Sequence, residues 1–200
     1  DSHVITSNLK FTEFLGINGS TKARPRIYLT KEEILEGQKV WSSVDNNICK
    51  IVVAPGGGFE EKCWGNGHFT KVVKKLSEDD NNKIVIVGSK EDFSRISLAE
   101  SKRIINLCGK NGLRNTASII RNSDLIINNS SVSMHFAGAF RIPSITLLGN
   151  YYESASLHRK QWGYPESVVL GKETNIGESK IPDVEEVLTE VETMSKKIKD

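Results

Sequence analysis

The stretch Ile127-Asn128-Asn129-Ser130-Ser131-Val132-Ser133-Met134-His135-Phe136-Ala137-Gly138-Ala139 decides the fold. It begins at the end of an apolar, β-branched run, Leu125-Ile126-Ile127, breaks into small polar residues, and then becomes helix-forming. That pattern is a buried strand turning into a helix. Ala54-Pro55-Gly56-Gly57-Gly58 ends a second such run, Ile51-Val52-Val53-Ala54, with Lys62 shortly beyond it. Helix N-termini carry unpaired backbone N–H groups and about +0.5 of an elementary charge. Two such mouths on one sheet would make a site for a diphosphate, which points to a nucleotide or nucleotide-sugar ligand.

Working outward, Ile84-Val85-Ile86-Val87 and Ser144-Ile145-Thr146-Leu147-Leu148 are further apolar runs without polar alternation, as strands covered on both faces require. Ile104-Ile105-Asn106-Leu107 is a candidate for one more. Helices are expected over about 66–77, 91–103, 113–122 and 132–140. Thr30 and Glu33 have capping-box spacing and predict another over about 30–44. Strands alternating with helices at this spacing give an α/β fold, a Rossmann-like open parallel sheet with helices on both faces. Ligands on such a sheet sit beyond the carboxyl ends of the strands, where both turns fall.

Residues 1–29 read as an arm or interdomain linker with room for one short helix, and 30–200 as one domain. Residues 149–174 read as a looser region. Val184, Val187, Leu188, Val191, Met194 and Ile198 form one stripe of a closing helix, with acids early and lysines late to complement its dipole.

Composition narrows the function. A net charge of +2 over 200 residues is too small to argue for nucleic acid. No apolar run approaches the roughly 18 residues needed to span a bilayer, and the first residues lack the pattern of a signal peptide, so a cytoplasmic protein is expected. Cys49, Cys63 and Cys108 are too widely spaced for a disulfide framework or a zinc site.

Each candidate has a plainer alternative. Gly57 and Gly58 would let the backbone approach an anion while Lys62 supplies a charge, or they form a tight turn. Ser130 and Ser131 offer hydroxyls and helix-start N–H groups, or a serine simply caps the helix. His135 is a donor to phosphate or sugar oxygen, or a structural histidine. Glu91 and Asp92, after the second strand, suit ribose hydroxyls or the helix dipole. His158-Arg159-Lys160-Gln161-Trp162, beside Tyr151, Tyr152 and Tyr164, lines a cleft or covers one end of the sheet.

Taken together, Ala54 to Gly58 with Lys62 and Trp64, Asn106-Leu107-Cys108-Gly109-Lys110, and Asn129, Ser131, Met134-His135 and Ala137, with Pro143 and Gly149 beyond, resemble the heptosyltransferase family of glycosyltransferases. The likeness covers about residues 45–150. It implies one half of a GT-B enzyme, in which two Rossmann-like domains face a cleft. It also implies inverting sugar transfer from a nucleotide-diphospho-sugar such as ADP-heptose, during lipopolysaccharide or surface-polysaccharide synthesis, with no metal at the diphosphate and no further cofactor. Gly57, Gly58 and Lys62 would hold the diphosphate, with Ser130, Ser131 and the helix start beside them. Glu91 or Asp92 would bind the ribose, Asn111 and Gly112 would lie near the base, and His135 would face the phosphate or sugar. The general base would belong to an amino-terminal acceptor domain for which this chain has no room. The acceptor would be lipid-linked or a polysaccharide. Arg141, His158, Arg159 and Lys160 are candidates for a peripheral contact with anionic lipid at the inner face of the cytoplasmic membrane.

Two departures stand out. The family pattern Asn-Asp-Ser-Gly is here Asn129-Ser130-Ser131-Val132. The change removes a carboxylate suited to sugar hydroxyls and puts a β-branched side chain at the phosphate turn. A sugar-nucleotide epimerase or hydrolase, and a noncatalytic nucleotide-binding or interaction module, are the alternative readings.

Overall fold

Apolar residues on both sides of a strand demand cover on both faces, and the structure, a computed structural model describing residues 2–17, 23–42, 47–65 and 67–199, supplies it. The strands are β1 (Cys49–Ala54), β2 (Asn82–Ile86), β3 (Ile104–Asn106), β4 (Leu125–Asn129), β5 (Ser144–Leu147) and β6 (Ser167–Leu170). They form one sheet in the order β3-β2-β1-β4-β5-β6, with every neighbouring pair parallel. At its centre Ile51 stands opposite Ile84 on one side and Leu125 on the other.

The two-residue alternation of a strand sends neighbours to opposite cores. Ile51, Val53, Ile84, Ile86, Leu125 and Ile127 pack with Phe69, Val72 and Leu76 of α3 (His68–Ser77) and with Val187, Val191 and Met194 of α7 (Val184–Lys199). Val52, Ala54, Val85 and Ile126 pack on the other face with Ile119 and Ile120 of α4 (Leu113–Arg121), Phe136 and Ala137 of α5 (Val132–Phe140), and Trp41. Before the sheet come α1 (Val4–Phe14) and α2 (Lys31–Lys39). Among the described residues no helix is long and apolar enough to cross a membrane.

The parallel α/β sheet, the helix over 132–140 and the strand at 104 agree with expectation. Three stretches do not. The helix begun by Thr30 keeps its reciprocal cap, with Glu33 N–H on Thr30 Oγ1 and Thr30 N–H on Glu33 Oε2, but stops at Lys39. Val40 and Trp41 there turn into the second core, and the expected end at Val44 lies outside the described residues, as does the expected helix start at Asn66. The helix expected over 91–103 is one 3-10 turn, Glu91–Arg95, followed by irregular chain. Ile96 and Leu98, two apart rather than three or four, both reach the first core, and Ser97 N–H is held by Thr70 Oγ1 at 3.2 Å. The region expected to be loose holds α6 (Ala155–Trp162) and β6. Ser154 caps α6, and Glu173 accepts from Ser154 and Ser156.

α2 meets α4 at Gly37, where a Cβ would strike Ser118 Oγ and lie 2.6 Å from its carbonyl carbon. Alanine favours a helix over glycine by about 1 kcal/mol, whereas overpacking costs about 1–3 kcal/mol. Gly37→Ala is therefore expected to destabilise the protein, by up to about 2 kcal/mol net. A urea unfolding curve checks the sign; a rise in midpoint would show that the two helices are free to part.

Candidate functional site

The strand order reverses between β1 and β4, one leading out to β2 and β3 and the other to β5 and β6, so the loops leaving their carboxyl ends diverge and open a crevice. A cleft of about 400 Å³ lies there. Gly56 and Gly57 border it from the turn after β1, Gly88, Ser89 and Asp92 from the segment after β2, Asn111 from beyond β3, and Ser131 to Ser133 from the start of α5. Val87, Leu113 and Val132 make its apolar wall.

A buried amide holds the mouth together. Asn129, fully buried at the end of β4, accepts from Trp64 N–H at 3.0 Å and donates through Nδ2 to the Pro55 carbonyl at 2.6 Å. Trp64 in turn donates Nε1–H to the Pro182 carbonyl at 2.7 Å. The loop after β5 joins the same body, with Gly149 N–H on Lys62 O and Tyr151 N–H on Glu61 O.

Asp92 is the carboxylate on the cleft lining, and it is already engaged. Ser89 N–H and Oγ donate to it at 2.8 and 2.9 Å and Arg95 Nε at 3.0 Å, while Arg95 also reaches Glu60 at 2.8 Å. The glycines make room for this carboxylate: a Cβ on Gly56 or Gly88 would meet it. Asn111 accepts from Asn115 Nδ2 at 2.9 Å, which leaves Asn111 Nδ2 and Asn115 Oδ1 buried without partners. Ser131 stands at the N-cap of α5, yet its hydroxyl bonds Ser133 Oγ at 2.7 Å and caps no helix N–H. The first N–H groups of α5 therefore face the cleft mouth without a side-chain cap.

Gly57, Asp92, Asn111 and Ser131 thus come together on one cleft. Gly58 has open space around it, and Gly112 caps α4 off the lining. Glu91 is exposed beside Arg95, where its own backbone N–H and then Ser89 hold its carboxyl below the usual range. Lys62 and Ser130 belong to a neighbouring aromatic strip. Lys62 Nζ sits 5.0 Å from the Phe59 ring centre, 5.4 Å from Tyr151 and 5.9 Å from Tyr152. Tyr152 packs edge-on against His158, and His158 Nε2 shares a 2.8 Å hydrogen bond with Ser130 Oγ. Burial, then the positive fields of His135 and Lys62, push the His158 pKa down to about 4. His135 bonds the Tyr164 hydroxyl through Nδ1 at 2.8 Å and lies against Trp162 and Tyr164 rather than in the cleft; burial lowers its pKa as well. The Asn129 clamp and the Ser130–His158 pair were not legible in the sequence. Each joins groups far apart in the chain, and no local periodicity marks them.

The family model of glycosyltransferase family 9 (heptosyltransferase) matches residues 3–184. Lipopolysaccharide heptosyltransferase 3 of Escherichia coli (strain K12) is 24% identical over 160 residues, covering 74% of this chain and 44% of that protein. The crystal structure of a family 9 glycosyl transferase from Veillonella parvula superposes with a TM-score of 0.75 at 21% identity, over 96% of this chain and 60% of that one. E. coli heptosyltransferase WaaC with ADP-2-deoxy-2-fluoro heptose superposes with a TM-score of 0.63 at 16% identity, over 94% of this chain and 54% of that one. The chain spans about half the length of these relatives.

Two outcomes follow from the geometry. Asn129→Ala strands a buried N–H and a buried carbonyl, each worth about 1–3 kcal/mol, so denaturant unfolding should show a loss of about 2–6 kcal/mol. A loss under about 0.5 kcal/mol would mean that the turn finds other partners. For His158 the folded pKa lies below the ordinary 6.5, so the unfolded chain binds more protons between the two values and stability rises with pH there. The stabilisation is full above pH 6.5 and is lost as pH falls through about 4, by at most about 1.4 kcal/mol per pH unit. Melting temperatures across that window should fall less steeply in His158→Gln.

Proposed function

Since the chain belongs to glycosyltransferase family 9, we propose that it is the donor-binding part of an inverting glycosyltransferase that uses a nucleotide-diphospho-sugar and serves lipopolysaccharide or surface-polysaccharide assembly. The observation that carries this reading is the cleft at the β1/β4 crevice, where glycine backbone, an uncapped helix start and an apolar wall meet. The nucleoside lies against Val87, Leu113 and Val132, with Asn111 offering a free amide N–H. Its ribose lies on the Asp92 side, and Glu91 is the alternative partner from the next face. The diphosphate lies over Gly57 at the start of α5. Backbone N–H groups and the helix dipole there stabilise the negative charge that grows as the nucleoside diphosphate departs.

Lys62 and Ser130, with His158 behind it, flank the leaving phosphate and the sugar from the aromatic strip. In an inverting transfer an acceptor hydroxyl attacks the anomeric carbon opposite the departing diphosphate and gives its proton to a base. Asp92 is unsuited to that task, because three donors already occupy it. The base and the acceptor site then belong to an amino-terminal half, and an ADP-sugar, of the kind present with the matched E. coli enzyme, is the first donor to try.

Calorimetric titration with ADP, UDP, GDP and CDP tests the reading. One diphosphate should bind selectively, and Lys62→Ala should weaken it about tenfold or more, as loss of a charge-assisted contact worth about 1.5–3 kcal/mol requires. No binding of any of the four at millimolar concentration would sink the donor assignment in favour of a noncatalytic module. Turnover of a nucleotide sugar without acceptor would replace it with an epimerase or hydrolase.

A further inference from the structure

A second concavity, about 1060 Å³, opens at the far end of α5 from the nucleotide cleft, between α1 with residues 23–26 and the end of α6. Its charge is one-sided. Arg24, Arg26, Arg141, Arg159 and Lys160 line it, and among the described residues no Asp or Glu does. Arg24 is spent, because its guanidinium grips both oxygens of Glu166 at 3.0 Å and donates to the Gly138 carbonyl at 2.5 Å. Arg26, Arg141, Arg159 and Lys160 are exposed, and none forms an ion pair among the described residues. His3 closes one wall with both ring nitrogens engaged, accepting from Ile5 N–H and meeting the Gly163 carbonyl at 2.9 Å.

Cations near helix C-termini often just complement the dipole, and here α5 and α6 both end on this concavity. The count shows that this is not enough. Two helix ends supply about one negative charge between them, against four free cations, which leaves about three positive charges unmatched. The backbone adds a second observation. Arg141 is the one non-glycine residue with positive φ among the described residues, at φ 61° and ψ 31°. That conformation costs about 1–2 kcal/mol in an L-residue and next to nothing in glycine, the residue helix ends favour there. A cation thus stands where the backbone favours glycine.

We propose that this concavity is an anion site for a ligand bearing two or more phosphate groups, either the headgroup of an anionic lipid or a soluble oligophosphate. Two phosphates, each carrying about −1.5 to −2, match the unmatched cations in number, and the arginine forks suit phosphate oxygens. The site is separate from the nucleotide cleft and does not depend on the donor reading.

The test uses the full chain carrying Lys62→Ala, so that the proposed donor site contributes little. Inorganic pyrophosphate is titrated calorimetrically into this protein, and then into the same protein with Arg141→Gly and Arg159→Gln added. Arg141→Gly removes a cation while relieving the backbone, so its melting temperature should hold or rise and a loss of binding cannot be laid to unfolding. Binding should fall about tenfold or more. Sedimentation with phosphatidylcholine vesicles containing phosphatidylinositol 4,5-bisphosphate, whose headgroup carries two phosphate monoesters, against vesicles of phosphatidylcholine alone, identifies the source. Capture by the former that the two substitutions abolish assigns a lipid headgroup, whereas pyrophosphate binding without capture assigns a soluble anion. Binding indifferent to both substitutions, or no response to either probe, overturns the proposal.

Discussion

The cleft end of this protein depends on one buried side-chain amide. Asn129 must accept from Trp64 N–H and donate to the Pro55 carbonyl at the same time. An aspartate would turn a negative oxygen on that carbonyl, and a serine is too short to span both. Because Trp64 and the backbone of Glu61 and Lys62 are held in turn by Pro182, Tyr151 and Gly149, the loops after β1, β4 and β5 form one rigid mouth. The surroundings are dry, so each of these bonds would be costly to leave unmade.

Around that mouth the two concavities rest on different physics. The cleft at the β1/β4 crevice is walled by apolar side chains and small polar groups, with the Asp92 carboxylate on its lining paired to Arg95. The other is cationic and open. Lys62 lies in between in character. Its ammonium rests on three rings, and cation–π contacts are worth about 0.5–2 kcal/mol each, whereas a charge-assisted contact to phosphate is worth about 1.5–3 kcal/mol. In the proposed donor site, a phosphate that draws the lysine away would have to replace these ring contacts.

The sequence was legible where structure is local. Unalternating runs at Ile51, Ile84, Leu125 and Ser144 marked strands covered on both faces, and the turn at Ser131 marked the start of α5. Failures came where partners distant in sequence override local preference. Ile96 and Leu98 sit in a segment whose composition suits a helix, but α3 and the first core draw both residues inward and pull the chain out straight. α6 depends on Glu173, well beyond it in sequence, to complete its cap. In the site, the turns pointed to the right end of the sheet, and the side chains proved harder to place. Asn129, which looks like an oxygen offered to a ligand, turns inward, and His158, which looks like part of a basic surface, is buried against Ser130.

Both outermost strands are short, three residues in β3 and four in β6. Strands this apolar would otherwise be hazardous, since an unpaired rim of N–H and C=O groups is a template on which a second chain can add a strand. A rim so brief offers a stranger few hydrogen bonds before the chain turns away, and the Ser154–Glu173 bridge lies just past one end of β6. Brevity at its margins thus limits how far a second chain could extend this largely apolar sheet from either edge.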